Sequence, residues 1–410
     1  DFLIAKPRMA HYLQYSARIY SIYLQFFAQQ DIHVYSIDEV FIDVTKYLRL
    51  YHLAPVDLAR RVVREIYEKT GITATAGIGS NLYLAKVAMD ILAKHEEADE
   101  YGTRVAQLDE QTYRERLWPH QPITDFWRVG RGVAKRLAAY DMHTMGDVAR
   151  CSLGGKHVMH NEDLLYKLFG VNAELLIDHA WGFESCTIED IKQYKPEHNS
   201  LSSGQVLTKP YSYDSAILVV KEMADQLSLT LTKKQLLCNS MSLLIGYESL
   251  HSGDLNGMDD EKLRNITRDR YGRLTFKPSQ ARLSWQEYTA SSDMLRDIAQ
   301  RLFERCAHKN LLVRRINISV SVMSQSEASN NWQPDIFTLL QESSQQNMNQ
   351  SENTANNASP KSGIVKEEHV AQTLLDIKNK FGANSVIKAM NLQEDSTAIL
   401  RNQQIGGHHA

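Results

Sequence analysis

Apolar residues recur along this chain at two spacings, and the spacing changes from segment to segment. Tyr12, Tyr15, Ile19, Ile22 and Phe26 share one face of a helical pattern. The period then drops to two, with Val40, Ile42 and Val44 on one face of a strand and Phe41, Asp43 and Thr45 on the other. Residues 72–95 read as a strand, a glycine-containing turn and a helix, with Ser80 or Asn81 as its cap. Further on, Val206-Leu207 reads as a strand, and Ile217, Val220, Ala224, Leu227 and Leu231 keep helical spacing. Strands near 237–247 and 273–280, a helix near 291–308 and strict alternation from Ile316 to Val322 complete a β-α-β-β-α-β order. Such an order predicts a four-stranded sheet with both helices on one side and the other face free to meet a partner. A short amphipathic helix over Leu374–Phe381 stops at Gly382.

The predicted class is therefore α+β, and 410 residues call for more than one domain. With 43% hydrophobic and 23% charged residues a packed interior is expected and global disorder is not. No apolar run approaches the roughly 20 residues that cross a bilayer, so an intracellular, cytoplasmic place and no membrane partner are expected. Cys151, Cys186, Cys238 and Cys306 lack the spacing of a zinc site or a disulfide framework and read as reduced thiols. The polar stretch 189–199 reads as a linker, and 341–363, rich in Gln, Asn and Ser, is expected to be disordered.

Candidate chemistry starts at Ser36-Ile37-Asp38-Glu39, where two adjacent carboxylates open an apolar strand. Such a pair holds Mg²⁺ for phosphoryl transfer, or it is a solvated turn between two strands, and the residues alone leave both readings open. The turn in Gly77-Ile78-Gly79-Ser80-Asn81 precedes a helix N-terminus suited to phosphate, with Lys86 and Lys94 as added positive charge. The net charge of −3 requires any nucleic-acid contact to come from local patches. One runs from Arg128 to Arg136, where Gly130, Arg131, Gly132 and Lys135 offer a tight turn, backbone N–H groups and cations to a phosphate. The other includes Lys262, Arg264, Arg268, Arg270, Arg273, Lys277 and Arg282.

The Ser-Ile-Asp-Glu element followed by Val-Phe-Ile-Asp-Val-Thr, and the later Gly-Ile-Gly-Ser-Asn-Leu-Tyr-Leu-Ala-Lys-Val-Ala-Met-Asp, resemble the palm of the Y-family translesion DNA polymerases, most closely the UmuC-like bacterial branch. The resemblance implies that Asp38 is a ligand of the catalytic Mg²⁺ ions and Glu39 the neighbouring active-site carboxylate. It implies that Lys94, with Asn81, serves the nucleoside triphosphate. It also implies a partial palm over 1–100, a helix-hairpin-helix thumb over 101–188 and a DNA-gripping little finger over 200–325. A tail over 326–410 would follow, in which Gln333, Ile336 and Phe337 resemble the peptide that docks on a sliding clamp.

The family's first metal-binding aspartate and its steric gate lie upstream of the Ser-Ile-Asp-Glu element, and nothing here matches them. The sequence is thus expected to be an N-terminally shortened polymerase with an incomplete two-metal site. The implied activity is error-prone nucleotide addition opposite damaged bases by a monomer acting on primer-template DNA and deoxynucleoside triphosphates. The alternative is a catalytically inactive DNA- and clamp-binding fragment or accessory subunit.

Overall fold

The computed structural model describes residues 3, 5, 7–155, 160–196, 199–250, 264–269, 272–325, 360–405 and 408–409, of which 360–368 and 408–409 by their backbone alone. The chain divides into two compact units, one of residues 10–195 and one of residues 196–410 together with the first nine.

The first unit opens with helix α1 (Met9–Phe26), a hairpin of β1 (Ile32–Val34) and β2 (Val40–Ile42), and helices α2 (Thr45–Tyr51) and α3 (Pro55–Thr70). Ile22, Ile32, Leu58, Val62 and Ile66 form its first core, with Ile19 and Phe26 packed against it. Only the second half of the expected α1 face is used, and Tyr12 stays exposed. The strand expected to run to Thr45 stops at Ile42. Asp43 Oδ1 accepts the Thr45 N–H at 2.9 Å, a local bond that turns the backbone into α2.

The unit continues with β3 (Thr75–Gly79), α4 (Leu82–Val87), β4 (Arg104–Leu108) and α5 (Glu110–Leu117), β3 and β4 pairing in parallel. Gly77 and Gly79 lie in strand β3 and not in a phosphate-binding turn, which corrects the sequence reading. They are glycines because α4 lies directly on the strand: a Cβ on Gly77 would stand 2.1 Å from the Ala85 carbonyl oxygen. Helices α6 (Arg131–Ala138), α7 (Met145–Leu153), α8 (Glu162–Phe169), α9 (Asn172–Trp181) and α10 (Ile188–Gln193) complete it. Tyr83, Leu84 and Val87 of α4 share one core with Tyr113, Leu117, Leu137 and Val148, so α4 packs with α5, α6 and α7 as one body. Helix α10 occupies the start of the stretch read as a linker, because Thr187 and Asp190 form a reciprocal cap that nucleates it.

The second unit follows the expected order. Strand β5 (Asn199–Tyr211), helix α11 (Tyr213–Lys233), strand β6 (Leu236–Tyr247), a small sheet of β7 (Ser249–Leu250), β8 (Ile266–Arg268) and β9 (Leu274–Phe276), strand β10 (Ser279–Thr289), helix α12 (Ser292–Cys306) and strand β11 (Val313–Ser324) succeed one another. The four long strands form one antiparallel sheet in the order β10-β6-β11-β5. The strand expected at 273–280 is split between β9 and the start of β10, whose alternation of Ala281 and Leu283 inward with Arg282 and Ser284 outward carries it on to Thr289.

Both helices cover one face of this sheet, with Val220, Leu227, Leu295 and Phe303 packed on Leu243, Ile245, Ile316 and Ile318. Helix α13 (Pro360–Phe381) starts inside the tract expected to be disordered. Helix α14 (Ala398–Arg401) and a final pair, β12 (Gln404–Ile405) with β13 (His408–His409), follow it.

The segment after α13 packs on the helical side of the sheet through a buried carboxylate. Glu222 of α11 accepts from Asn391 Nδ2 at 2.9 Å, the Thr397 N–H at 2.9 Å, Thr397 Oγ1 at 3.2 Å and the Ser396 hydroxyl. Arg401 reaches over the sheet edge to Gln205 Oε1 at 2.6 Å and Ser203 Oγ at 2.8 Å. Residues 388–401 thus cap the helical face, and among the described residues no helix packs on the opposite face of the sheet.

Candidate functional site

The two acidic residues stand on the turn that joins β1 to β2. The Tyr35 and Ser36 N–H groups both donate to the Glu39 carbonyl, at 3.0 and 3.1 Å, and Ser36 Oγ donates to Asp38 Oδ1 at 2.7 Å. Asp38 is exposed and Glu39 half-buried. Of the two readings left open by the sequence, the turn geometry is present, but the pair is not simply solvated. Glu39 Oε1 receives the Lys86 ammonium at 2.8 Å.

Lys86, on α4, is the centre of an ion-pair row. Its side chain is 9% exposed, and its Nζ lies 2.8 Å from Glu39 Oε1 and 2.9 Å from Asp90 Oδ2. Asp90 Oδ1 in turn accepts from Lys94 Nζ at 2.7 Å. Burial alone would push the Lys86 pKa down, but the two carboxylates more than offset it and hold the ammonium above the usual lysine range. Burial would likewise raise Asp90, and Lys94 and Lys86 instead pull it below the usual carboxylate range. Asp90 sits in a π-helical turn, Ala88–Leu92, a deviation that recurs at functional sites.

Lys94 is therefore joined to Glu39 through Asp90 and Lys86, as part of one row. Asn81 is spent on structure: its Oδ1 accepts the Leu84 N–H at 2.9 Å, capping α4, and its Nδ2 donates to the Gly182 carbonyl at 2.9 Å. Lys86 was read as added charge for a phosphate and is instead buried between carboxylates. Asp90 was missed, although the four-residue steps from Lys86 to Asp90 to Lys94 place all three on one helix face.

Asp38 and Glu39 suit a hard divalent cation in kind but not in number. Among the described residues no three His, Cys, Asp or Glu side chains come together as a metal centre. The described residues therefore do not by themselves make a complete two-metal site.

The hairpin also meets the segment that leads into α6. Trp127 Nε1 donates to the Tyr35 hydroxyl at 3.0 Å, and the two rings stand edge to face 5.8 Å apart. Arg128 then adopts φ 67°, turning the chain so that Gly130, Arg131, Gly132 and Lys135 lie exposed at the start of α6. A Cβ on Gly130 or Gly132 would meet no atom within 4 Å, so an anion can approach this helix N-terminus closely. Behind the turn, His179 is buried, stacked 4.0 Å from Tyr83 and bonded to Glu184 at 3.0 Å.

In the second unit the strand register aligns the open face of the sheet into rows. One row is Ser284, Ser240, Ser321 and Ser200; the next is Arg282, Ser242, Ser319 and Ser202; the next is Gln280, Leu244, Asn317 and Gly204. Serine fills the first row and most of the second, and the third is longer-chained but for Gly204; Ser240, in the middle of the first row, is 5% exposed. Arg268 and Arg273 lie apart from these rows, on β8 and just before β9. Arg268 Nη1 bonds the Gly272 carbonyl at 2.8 Å, and Arg273 pairs with Asp269 at 2.7 Å. Arg270 and the residues Gln333, Ile336 and Phe337 lie outside the described residues.

The family model described as impB/mucB/samB matches residues 1–90, and its C-terminal domain model matches residues 198–336, together more than half of the chain. DNA polymerase IV 2 of Bacillus subtilis (strain 168) is 24% identical over 414 aligned residues, covering 100% of this chain and 82% of that protein. UvrX of the same organism, a protein named for UV-damage repair, is 25% identical over 60% of this chain, which spans about half, 54%, of its length. Among solved structures, a Y-family DNA polymerase chimera of Dbh and Dpo4 matches with a TM-score of 0.51 at 20% identity, covering 76% of each chain, and so shares the fold. With both family models in order along it, the chain belongs to the Y family of DNA polymerases.

Proposed function

We propose that this protein adds deoxynucleotides to a DNA primer opposite damaged template bases, an error-prone translesion synthesis serving DNA repair in an SOS-type response. The observation that carries the reading is the row Glu39, Lys86, Asp90 and Lys94, which ties the exposed Lys94 ammonium through Asp90 and Lys86 to the hairpin turn that bears Asp38 and Glu39. In this reading Lys94 meets the triphosphate of the incoming nucleotide, and Asp38 and Glu39 face the reacting end of the primer, where they are two of the ligands of the Mg²⁺ that such chemistry uses. The α6 N-terminus at Gly130, Arg131 and Gly132, with Lys135, receives a backbone phosphate. The open sheet face takes the duplex, and Arg268 and Arg273 add phosphate contacts from the small sheet beside it, with Arg270, outside the described residues, proposed for the same role.

Docking of Gln333, Ile336 and Phe337 on a ring-shaped sliding clamp belongs to the same proposal, as do a UmuC-like branch, a monomeric state and a place in the bacterial cytoplasm. No helix among the described residues is long and apolar enough to cross a membrane.

The test is primer extension across an abasic template site with Mg²⁺ and all four deoxynucleoside triphosphates, with DNA binding followed in parallel. Extension that is lost in Asp38→Ala supports the reading. Tight primer-template binding without extension overturns it in favour of a protein that grips DNA without the chemistry.

A further inference from the structure

We propose that Lys86 and Asp90 are positioning residues of the polymerase reaction, Lys86 fixing Glu39 on the hairpin turn and Asp90 fixing Lys94. The proposal rests on the polymerase reading and goes beyond it in assigning two residues that would touch neither substrate nor primer. Lys86 is buried, 9% exposed, whereas Lys94 at the other end of the row is 54% exposed. A ligand therefore reaches Lys94 and not Lys86.

A buried ion pair seldom repays its desolvation as stability, and a well-packed apolar side chain in its place is often neutral or better. What the ammonium of Lys86 supplies is geometry. It bridges two helix-borne and hairpin-borne carboxylates that have no backbone connection, Asp90 on the helix and Glu39 47 residues away in sequence. The π-helical turn at Ala88–Leu92 is an independent pointer, since it interrupts the helix at Asp90.

The row alternates in sign: carboxylate, ammonium, carboxylate, ammonium. When a triphosphate draws Lys94 away, Asp90 keeps Lys86 as its partner, so Glu39 is held throughout. The Tyr35 ring, 5.8 Å from the Lys86 ammonium, and the Trp127 bond to the Tyr35 hydroxyl support the hairpin from its other side.

The experiment measures kcat and KM for the incoming nucleotide with wild-type protein, Lys86→Met, Asp90→Asn, Glu39→Gln and the Lys86→Met/Glu39→Gln double variant, with the dissociation constant for primer-template DNA beside them. Misplacement of a reacting group by about 1 Å costs on the order of 100-fold, so Lys86→Met is expected to lower kcat by about 10- to 100-fold at unchanged DNA affinity. Asp90→Asn is expected to raise KM more than it lowers kcat. The double variant is expected to be no worse than Glu39→Gln alone.

Additive losses, or a Lys86→Met variant that loses thermal stability while keeping its kinetic constants, would overturn the proposal. Should Lys86→Met not fold, the partly exposed Asp90→Asn carries the KM test. Should the wild-type protein extend no primer, the polymerase reading fails separately. Hydrogen exchange at the Tyr35 and Ser36 amides then tests the hold itself, with faster exchange confined to residues 35–42 in Lys86→Met expected and unchanged exchange refuting it.

Discussion

Replacing Glu222 by alanine should release the C-terminal cap of the second unit without unfolding the sheet beneath. Glu222 is 5% exposed and accepts four hydrogen bonds, all from residues 391–397. Hydrogen bonds to a charged group are worth about 1.5–3 kcal/mol each, so four at the lower end amount to roughly 6 kcal/mol. The variant also no longer desolvates a carboxylate, which returns several kcal/mol. The net expected loss is about 3 kcal/mol, or about a hundredfold more frequent opening of the cap. Lys388 on Asp225, Arg401 on Gln205 and Lys209 on Asp395 at 3.1 Å remain, so opening should be local.

Hydrogen exchange by peptide is the assay, comparing residues 388–401 with β6 and β11. Glu222→Gln should lie between wild type and alanine, because its amide nitrogen would face a donor while one acceptor is kept. Unchanged exchange over 388–401 in the alanine variant, or an equal rise across β6 and β11, would refute the view that this carboxylate holds the cap.

Gly77→Ala should lower the melting temperature of the first unit by more than about 5 °C by calorimetry, since its Cβ would stand 2.1 Å from a backbone oxygen, whereas Gly130→Ala should leave it nearly unchanged. Trp127→Phe should cost about 0.5–1.5 kcal/mol through the lost bond to Tyr35, and adding Tyr35→Phe in a double-mutant cycle should cost little more. Burial holds His179 below the usual histidine pKa of 6.5, against the opposing pull of Glu184. The unfolded chain therefore binds the proton more readily, and the stability from a neutral His179 should fall as pH drops below about 6.5 in denaturant titrations. A His179→Gln variant whose stability falls just as steeply over that range would contradict this.

The order of elements in the second unit was legible because each strand has one wet face and each helix one apolar stripe, as in Ile316–Val322 and Ile217–Leu231. Boundaries were less so. The run through Val44 looked extended by alternation, but a side-chain bond from Asp43 to the backbone ends the strand, a local competition that periodicity does not report. Gly77 and Gly79 were read as turn residues because glycine before a helix usually is. Only tertiary structure shows that the helix lies on top of them. At the candidate site, motif resemblance pointed to Asp38, Glu39 and Lys94, while nothing in the sequence pointed to the burial of Lys86 between carboxylates. Its neighbour Glu39 lies 47 residues away, and no local pattern announces a pair at that separation.

The rows of serine on the open sheet face have a consequence for how binding responds to salt. Each phosphate neutralised by a protein cation contributes about −0.9 to the slope of log K against log salt concentration. Across the Ser284, Arg282 and Gln280 rows Arg282 is the only cation, and Arg315 stands in the next register position between Gly246 and Val206. With the duplex on this face as proposed, the sheet itself should release about two counterions at most, and the rest of the salt dependence should come from the cations proposed at α6 and beside the sheet. The share of affinity built on this face should persist at ionic strengths that strip lysine-rich surfaces from a duplex.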